Sequence, residues 1–221
     1  MDNSLTSADV GYPMGSEESH FVVVALGDSL TAGYRFMDPY AMDPRVPYPA
    51  QLEAMIRATF MRSGRSTLAF VVNAGVNGDF TDGMLERFER DVAAERPDVV
   101  VVLGGVNDLG VGRKPEQVIG NLLKLQEMAR ASGVEPVACT LTPMRRTSDA
   151  MRKLNELVRK NCAENGTRLT DLFPQFANAE GNLKVEYSDD GSHLTAEGYR
   201  LVAKIVYDTM RPIWDEGASD Q

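Results

Sequence analysis

Phe21-Val22-Val23-Val24-Ala25-Leu26-Gly27-Asp28-Ser29-Leu30 decides the reading of this chain. The first six residues are apolar and rich in β-branched side chains, the pattern of a strand buried on both faces. A small, polar Gly-Asp-Ser follows at once. A serine held at the sharp exit of a buried strand can present its hydroxyl at the mouth of a sheet, where a nucleophile is needed. Asp28 and Ser29 are also good helix caps, so the stretch alone leaves capping and catalysis equally open.

Two later runs repeat the pattern. Leu68-Ala69-Phe70-Val71-Val72 runs into Asn73-Ala74-Gly75-Val76-Asn77-Gly78-Asp79, and Val99-Val100-Val101-Val102-Leu103 into Gly104-Gly105-Val106-Asn107-Asp108. Further strands are expected at about 135–141 and 167–170. Helical spacing of apolar residues predicts helices over 49–62, 81–95, 115–131, 147–164 and 196–210, with Pro97 and Pro212 as stops. Strand and helix alternate throughout, which predicts an α/β fold with a parallel sheet covered by helices on both faces. Residues 1–20 are polar and acidic and read as a flexible arm; 21–216 read as a single domain. The segment between Gly33 and Tyr48, with Pro39, Pro44 and Pro47, reads as a loop walling the pocket, and Met37, Tyr40, Met42, Met144, Phe173 and Phe176 as candidates to line it.

The chain has 221 residues, 43% hydrophobic and 25% charged, with a net charge of −9. That balance excludes a nucleic-acid surface, which needs clustered Lys and Arg, and no apolar run is long enough for stable membrane insertion. The N-terminal residues lack a basic segment followed by an apolar one, so a cytoplasmic location is expected. Cys139 and Cys162 have no metal-ligand spacing and read as buried free thiols.

In a parallel sheet the strands end on one edge, and sites form there. Ser29, Gly75 and Asn107 follow three different strands and so share that rim. Acyl transfer by serine needs a base, and the chain offers only His20 and His193. His20 begins the first strand, at the wrong edge, which leaves His193. A carboxylate should orient the imidazole; Asp190 is three residues away, and Asp189 competes with it. The Ser29 and Gly75 N–H groups and the Asn107 amide are candidates for an oxyanion hole.

Four blocks, Gly27-Asp28-Ser29-Leu30-Thr31-Ala32-Gly33-Tyr34, Asn73 to Asp79, Gly105-Val106-Asn107-Asp108 and Asp190-Gly191-Ser192-His193, resemble those of the SGNH hydrolases, also called GDSL-type esterases and lipases. The resemblance implies a flavodoxin-like three-layer α/β/α sandwich with a five-stranded parallel sheet. It implies a Ser29–His193–Asp190 triad, an oxyanion hole from Ser29, Gly75 and Asn107, and neither metal nor organic cofactor. The expected activity is hydrolysis of small-molecule carboxylic esters with short acyl chains. Acyl thioester or lysophospholipid cleavage is the alternative. Two non-enzymatic readings compete: a flavodoxin-like small-molecule binding protein, and a partner-binding protein, each with a vestigial site. No phosphate-binding glycine motif of the Gly-x-Gly-x-x-Gly or Walker type supports the first.

Overall fold

The computed structural model describes residues 19–37 and 43–216. Five strands run parallel: β1 (His20–Gly27), β2 (Leu68–Gly75), β3 (Val99–Leu103), β4 (Glu135–Cys139) and β5 (Arg168–Thr170), in the order β2-β1-β3-β4-β5. Nine helices are described: α1 (Ser29–Ala32), α2 (Tyr48–Arg62), α3 (Thr81–Glu86), α4 (Phe88–Asp91), α5 (Val106–Gly110), α6 (Pro115–Ala131), α7 (Asp149–Asn165), α8 (Phe173–Phe176) and α9 (Ala196–Glu216). α2 packs on α9 and β2, while α6 packs on α3, α7 and β4, which gives a layer of helices on each face. This is the flavodoxin-like α/β/α arrangement.

The centre of the sheet explains its stability. Val23 to Leu26 of β1 and Val99 to Leu103 of β3 are buried, and each valine or leucine among them contributes about 1.5–3 kcal/mol by leaving water. Register then sets the site: Gly27 lies beside Gly75 on one side and Leu103 on the other. The ends of β1, β2 and β3 are level, and the strand order reverses between β1 and β3, where a doubly wound sheet leaves a crevice.

Three expectations need correction. The arm expected over 1–20 reaches too far: His20 opens β1, as its reading as the strand's first residue requires, and the Ser19 carbonyl already accepts the Leu68 N–H; residues 1–18 lie outside the described ones. The helix expected over 81–95 is broken into α3, α4 and a 3-10 turn at Ala93–Glu95. The break falls at Arg87, whose side chain is pulled inward to strand-end carbonyls. Pro212 does not stop the last helix, which runs to Glu216. Its final turn is held by packing. Trp214 is buried against Phe21, Phe60 and Tyr207 and its carbonyl accepts from Arg65 Nη2 at 2.8 Å, outweighing the one backbone bond proline removes.

Candidate active site

Ser29 opens α1 directly after β1. The expected capping does occur, because the Asp28 carboxylate accepts the Leu30 N–H at 3.0 Å. It frees the serine: Asp28 closes the helix start, and Ser29 lines the cleft. Asp28 is fully buried and its Oδ2 has no partner among the described residues. Burial, helped by the charges of Asp79 and Asp108, pushes its carboxyl up to about 7.

His193 precedes α9 and returns to the β1 end. Its Nε2 lies 3.2 Å from Ser29 Oγ, and its Nδ1 lies 2.7 Å from Asp190 Oδ2. Asp190 Oδ1 accepts the N–H groups of Ser192 and His193, both at 2.8 Å. Burial alone would raise the Asp190 carboxyl, but the His193 ring and these two N–H donors outweigh it and hold it below the usual carboxylate range. The turn is pinned by Ser188 Oγ, which donates to the His193 carbonyl at 2.6 Å and accepts the Gly191 N–H at 2.8 Å. The Tyr34 ring lies against the imidazole, centroids 4.5 Å apart. Asp189 is exposed, and its carboxylate makes no hydrogen bond among the described residues. His20 sits at the far end of β1 against Phe70.

Gly75, expected in the oxyanion hole, faces elsewhere. The Gly75 N–H donates to Asn73 Oδ1 at 3.0 Å, and Gly75 is absent from the cleft lining. Its missing side chain serves packing, since a Cβ there would stand 2.1 Å from the Ala32 nitrogen. Gly78, three residues on, does line the cleft, with φ +76° and its N–H unpaired among the described residues. Asn107 lines it too, and Asn107 Nδ2 donates to the Asp79 carbonyl at 2.9 Å. That bond orients the amide and leaves a second N–H for the cleft.

Arg87 and Asp108 hold this rim, and the sequence reading missed both roles. Arg87, only 8% exposed, donates to Asp79 Oδ2, Asp91 Oδ2 and the carbonyls of Ala74 and Gly27. The ends of β1 and β2 and the Asp79 turn are thereby tied to one guanidinium. Buried Asp108 accepts from the Thr81 N–H and hydroxyl and from Arg113. A lone Arg among Met84, Leu85 and Phe88 was the available signal for Arg87; Gly78 lay inside a quoted block.

The cleft has a volume of about 480 Å³. Its apolar walls come from Phe80, Val106, Leu109, Leu141, Met144 and Met151. Of the side chains expected to line it, only Met144 does so among the described residues. Phe176 is in the core, Phe173 lies under Arg152 and Arg159, and Met37 is exposed outside the lining. Tyr40 and Met42 lie outside the described residues. The walls are thus supplied by the connections after β2, β3 and β4, and none of the described part of the Pro-rich segment is among them. Cys139 and Cys162 are buried free thiols, pushed up by burial to about 12 and about 11. Among the described residues no helix is long and apolar enough to cross a membrane, and no cluster of three or more His, Cys, Asp or Glu side chains is placed to hold a metal.

Known proteins carry the same frame. The model of the GDSL-like Lipase/Acylhydrolase family matches residues 25–201. "Esterase TesA" of Pseudomonas aeruginosa is 29% identical over 145 residues, 65% of this chain and 70% of that protein. "Thioesterase 1/protease 1/lysophospholipase L1" of Escherichia coli is 26% identical over 196 residues, 86% of this chain and 84% of that protein. The crystal structure of the lipase/acylhydrolase from Enterococcus faecalis superposes with a TM-score of 0.69 at 23% identity, covering 86% of this chain and 95% of the other. Neither non-enzymatic reading stands against a family match that spans most of the chain. The chain belongs to the GDSL-like lipase/acylhydrolase family, and it is a carboxylic ester hydrolase.

Proposed function

We propose that the chain cleaves small-molecule esters through an acyl-enzyme on Ser29. The observation that carries this is the unbroken chain Ser29 Oγ–His193 Nε2 at 3.2 Å and His193 Nδ1–Asp190 Oδ2 at 2.7 Å. Neutral His193 takes the proton as Ser29 Oγ attacks the ester carbonyl. Asp190 fixes the tautomer and stabilises the imidazolium. Negative charge gathers on the carbonyl oxygen and meets the Ser29 N–H, the Asn107 amide and, in place of Gly75, the Gly78 N–H. Collapse expels the alcohol, which takes its proton from His193. Water, deprotonated by the same imidazole, then releases the acid.

The walls of the cleft favour an acyl chain of several carbons over acetyl, because about 480 Å³ lined mainly by apolar side chains exceeds what two carbons fill. Short-to-medium acyl esters are the proposed substrates. The same room supports the thioester and lysophospholipid reading for the acyl half of the molecule. A fluorophosphonate probe tests the nucleophile: the native chain is expected to label and Ser29→Ala to lose labelling with its fold intact. Labelling of Ser29→Ala at the native rate would overturn the assignment. A panel of 4-nitrophenyl esters from two to twelve carbons then locates the chain-length optimum.

A further inference from the structure

We propose that Arg146 makes the cleft selective for esters that carry an anionic oxyacid group, a carboxylate or a phosphate. This rests on the hydrolase reading above and names the substrate class for it. Arg146 lies on the connection between β4 and α7, and it lines the same cleft as Ser29 and His193. Apart from His193, no other ionisable side chain among the described residues lines that cleft.

Arg146 is exposed at the cleft mouth, and what marks it is a positive charge, partnerless among the described residues, placed beside Ser29 and His193. The chain carries 32 acidic and 23 basic residues, so carboxylates are in excess. Arg57, Arg87, Arg113 and Arg159 all take one. Arg146 has no hydrogen-bond or ion-pair partner among the described residues. Its neighbour Arg145 is engaged: the Arg145 N–H donates to the Gly191 carbonyl at 2.7 Å, its Nη2 reaches the Asp189 carbonyl at 3.4 Å, and its stem covers Gly191. One arginine braces the loop that carries Asp190 and His193, and the next faces the cleft.

A planar guanidinium with five unused donors matches a carboxylate or phosphate two oxygens at a time. Apolar walls focus its field, and the surrounding negative charge of the protein makes a single positive group the distinguishing feature of the pocket. The acyl chain would lie along the apolar walls, and the anionic group, at the far end of the acyl chain or on the leaving group, would meet Arg146.

Paired substrates test this. One arm compares the mono-4-nitrophenyl ester of adipic acid with 4-nitrophenyl hexanoate. The other compares the hexanoyl thioester of phosphopantetheine with that of pantetheine. In each, the kcat/KM ratio of charged to uncharged substrate is read at low salt. In one arm the ratio is expected to fall about tenfold in Arg146→Gln, to fall further in Arg146→Glu, and to recover in part in Arg146→Lys. The arm that responds tells an acyl carboxylate from a leaving-group phosphate. An unchanged ratio in both arms, in variants that still label with fluorophosphonate, overturns the role of Arg146. Failure of the native chain to label overturns the Ser29 reading, and this one with it.

Discussion

Replacing Asp28 with Asn is expected to remove a pH-dependent penalty on stability. Asp28 is fully buried, one oxygen caps α1 and the other has no partner among the described residues. Burial first, and then the charges of Asp79 and Asp108, raise its carboxyl to about 7, against 3.8 for the free group. Below the unfolded value the carboxyl is neutral in both states and folding carries no penalty. Above it, the unfolded chain has lost a proton that the folded chain keeps, so stability falls with pH until the folded group also ionises near 7. Between pH 5 and pH 8 that covers about two pKa units, or about 3 kcal/mol. Asn keeps the acceptor for the Leu30 N–H and never ionises. Asp43, Asp82, Asp91 and Asp190, all held low by arginines or N–H donors, have the opposite slope; they are common to both proteins and cancel in the difference. For a chain of this size, about 3 kcal/mol is roughly 6–12 °C in Tm. Thermal melts by circular dichroism at pH 5 and pH 8 measure it: Asp28→Asn should gain that much on the native chain between the two. A Tm difference that is the same at both pH values would refute the reasoning, because the buried carboxyl would then titrate as it does in the unfolded chain.

How much could be read from the sequence depended on whether the determinant was local. β3 matches its apolar run residue for residue, because Val99–Leu103 is buried on both faces and nothing else competes. That Ser29, Asn107, Asp190 and His193 come together was legible because each follows a strand or precedes a helix, and topology alone brings such positions to one rim. Gly75 was misread because a glycine at a strand end has two uses. Sequence cannot tell an N–H aimed at a ligand from a missing Cβ that lets α1 approach the backbone. The broken helix at Arg87 and the unbroken one at Pro212 share a cause. Both were decided by partners far along the chain, Gly27 and Ala74 for the one and Phe21 and Phe60 for the other. Local propensity ranks such contacts at zero, and tertiary packing overrides it.

Two further predictions concern the parts that hold the site. Asp190→Asn should lower kcat by up to ~10⁴, by losing the acceptor that fixes the His193 tautomer, while Asp189→Asn, on an exposed side chain, should leave kcat near native; the reverse order would move the carboxylate role to Asp189. Arg87→Lys tests the rim itself. Lysine keeps the charge, but one ammonium cannot serve four acceptors set around a planar fork. Losing contacts to a buried guanidinium costs about 3–5 kcal/mol, so Tm should drop by roughly 6–20 °C. The effect on catalysis is separate. The Asp79 carbonyl orients Asn107, and Arg87 holds the Asp79 carboxylate, so loosening one misplaces the donor proposed to meet the oxyanion. Assayed well below its own Tm, Arg87→Lys should lose about ten- to hundredfold in kcat with KM little changed. A variant that melts early yet turns over at the native kcat would show that Arg87 supports the fold alone and leaves Asn107 where it was.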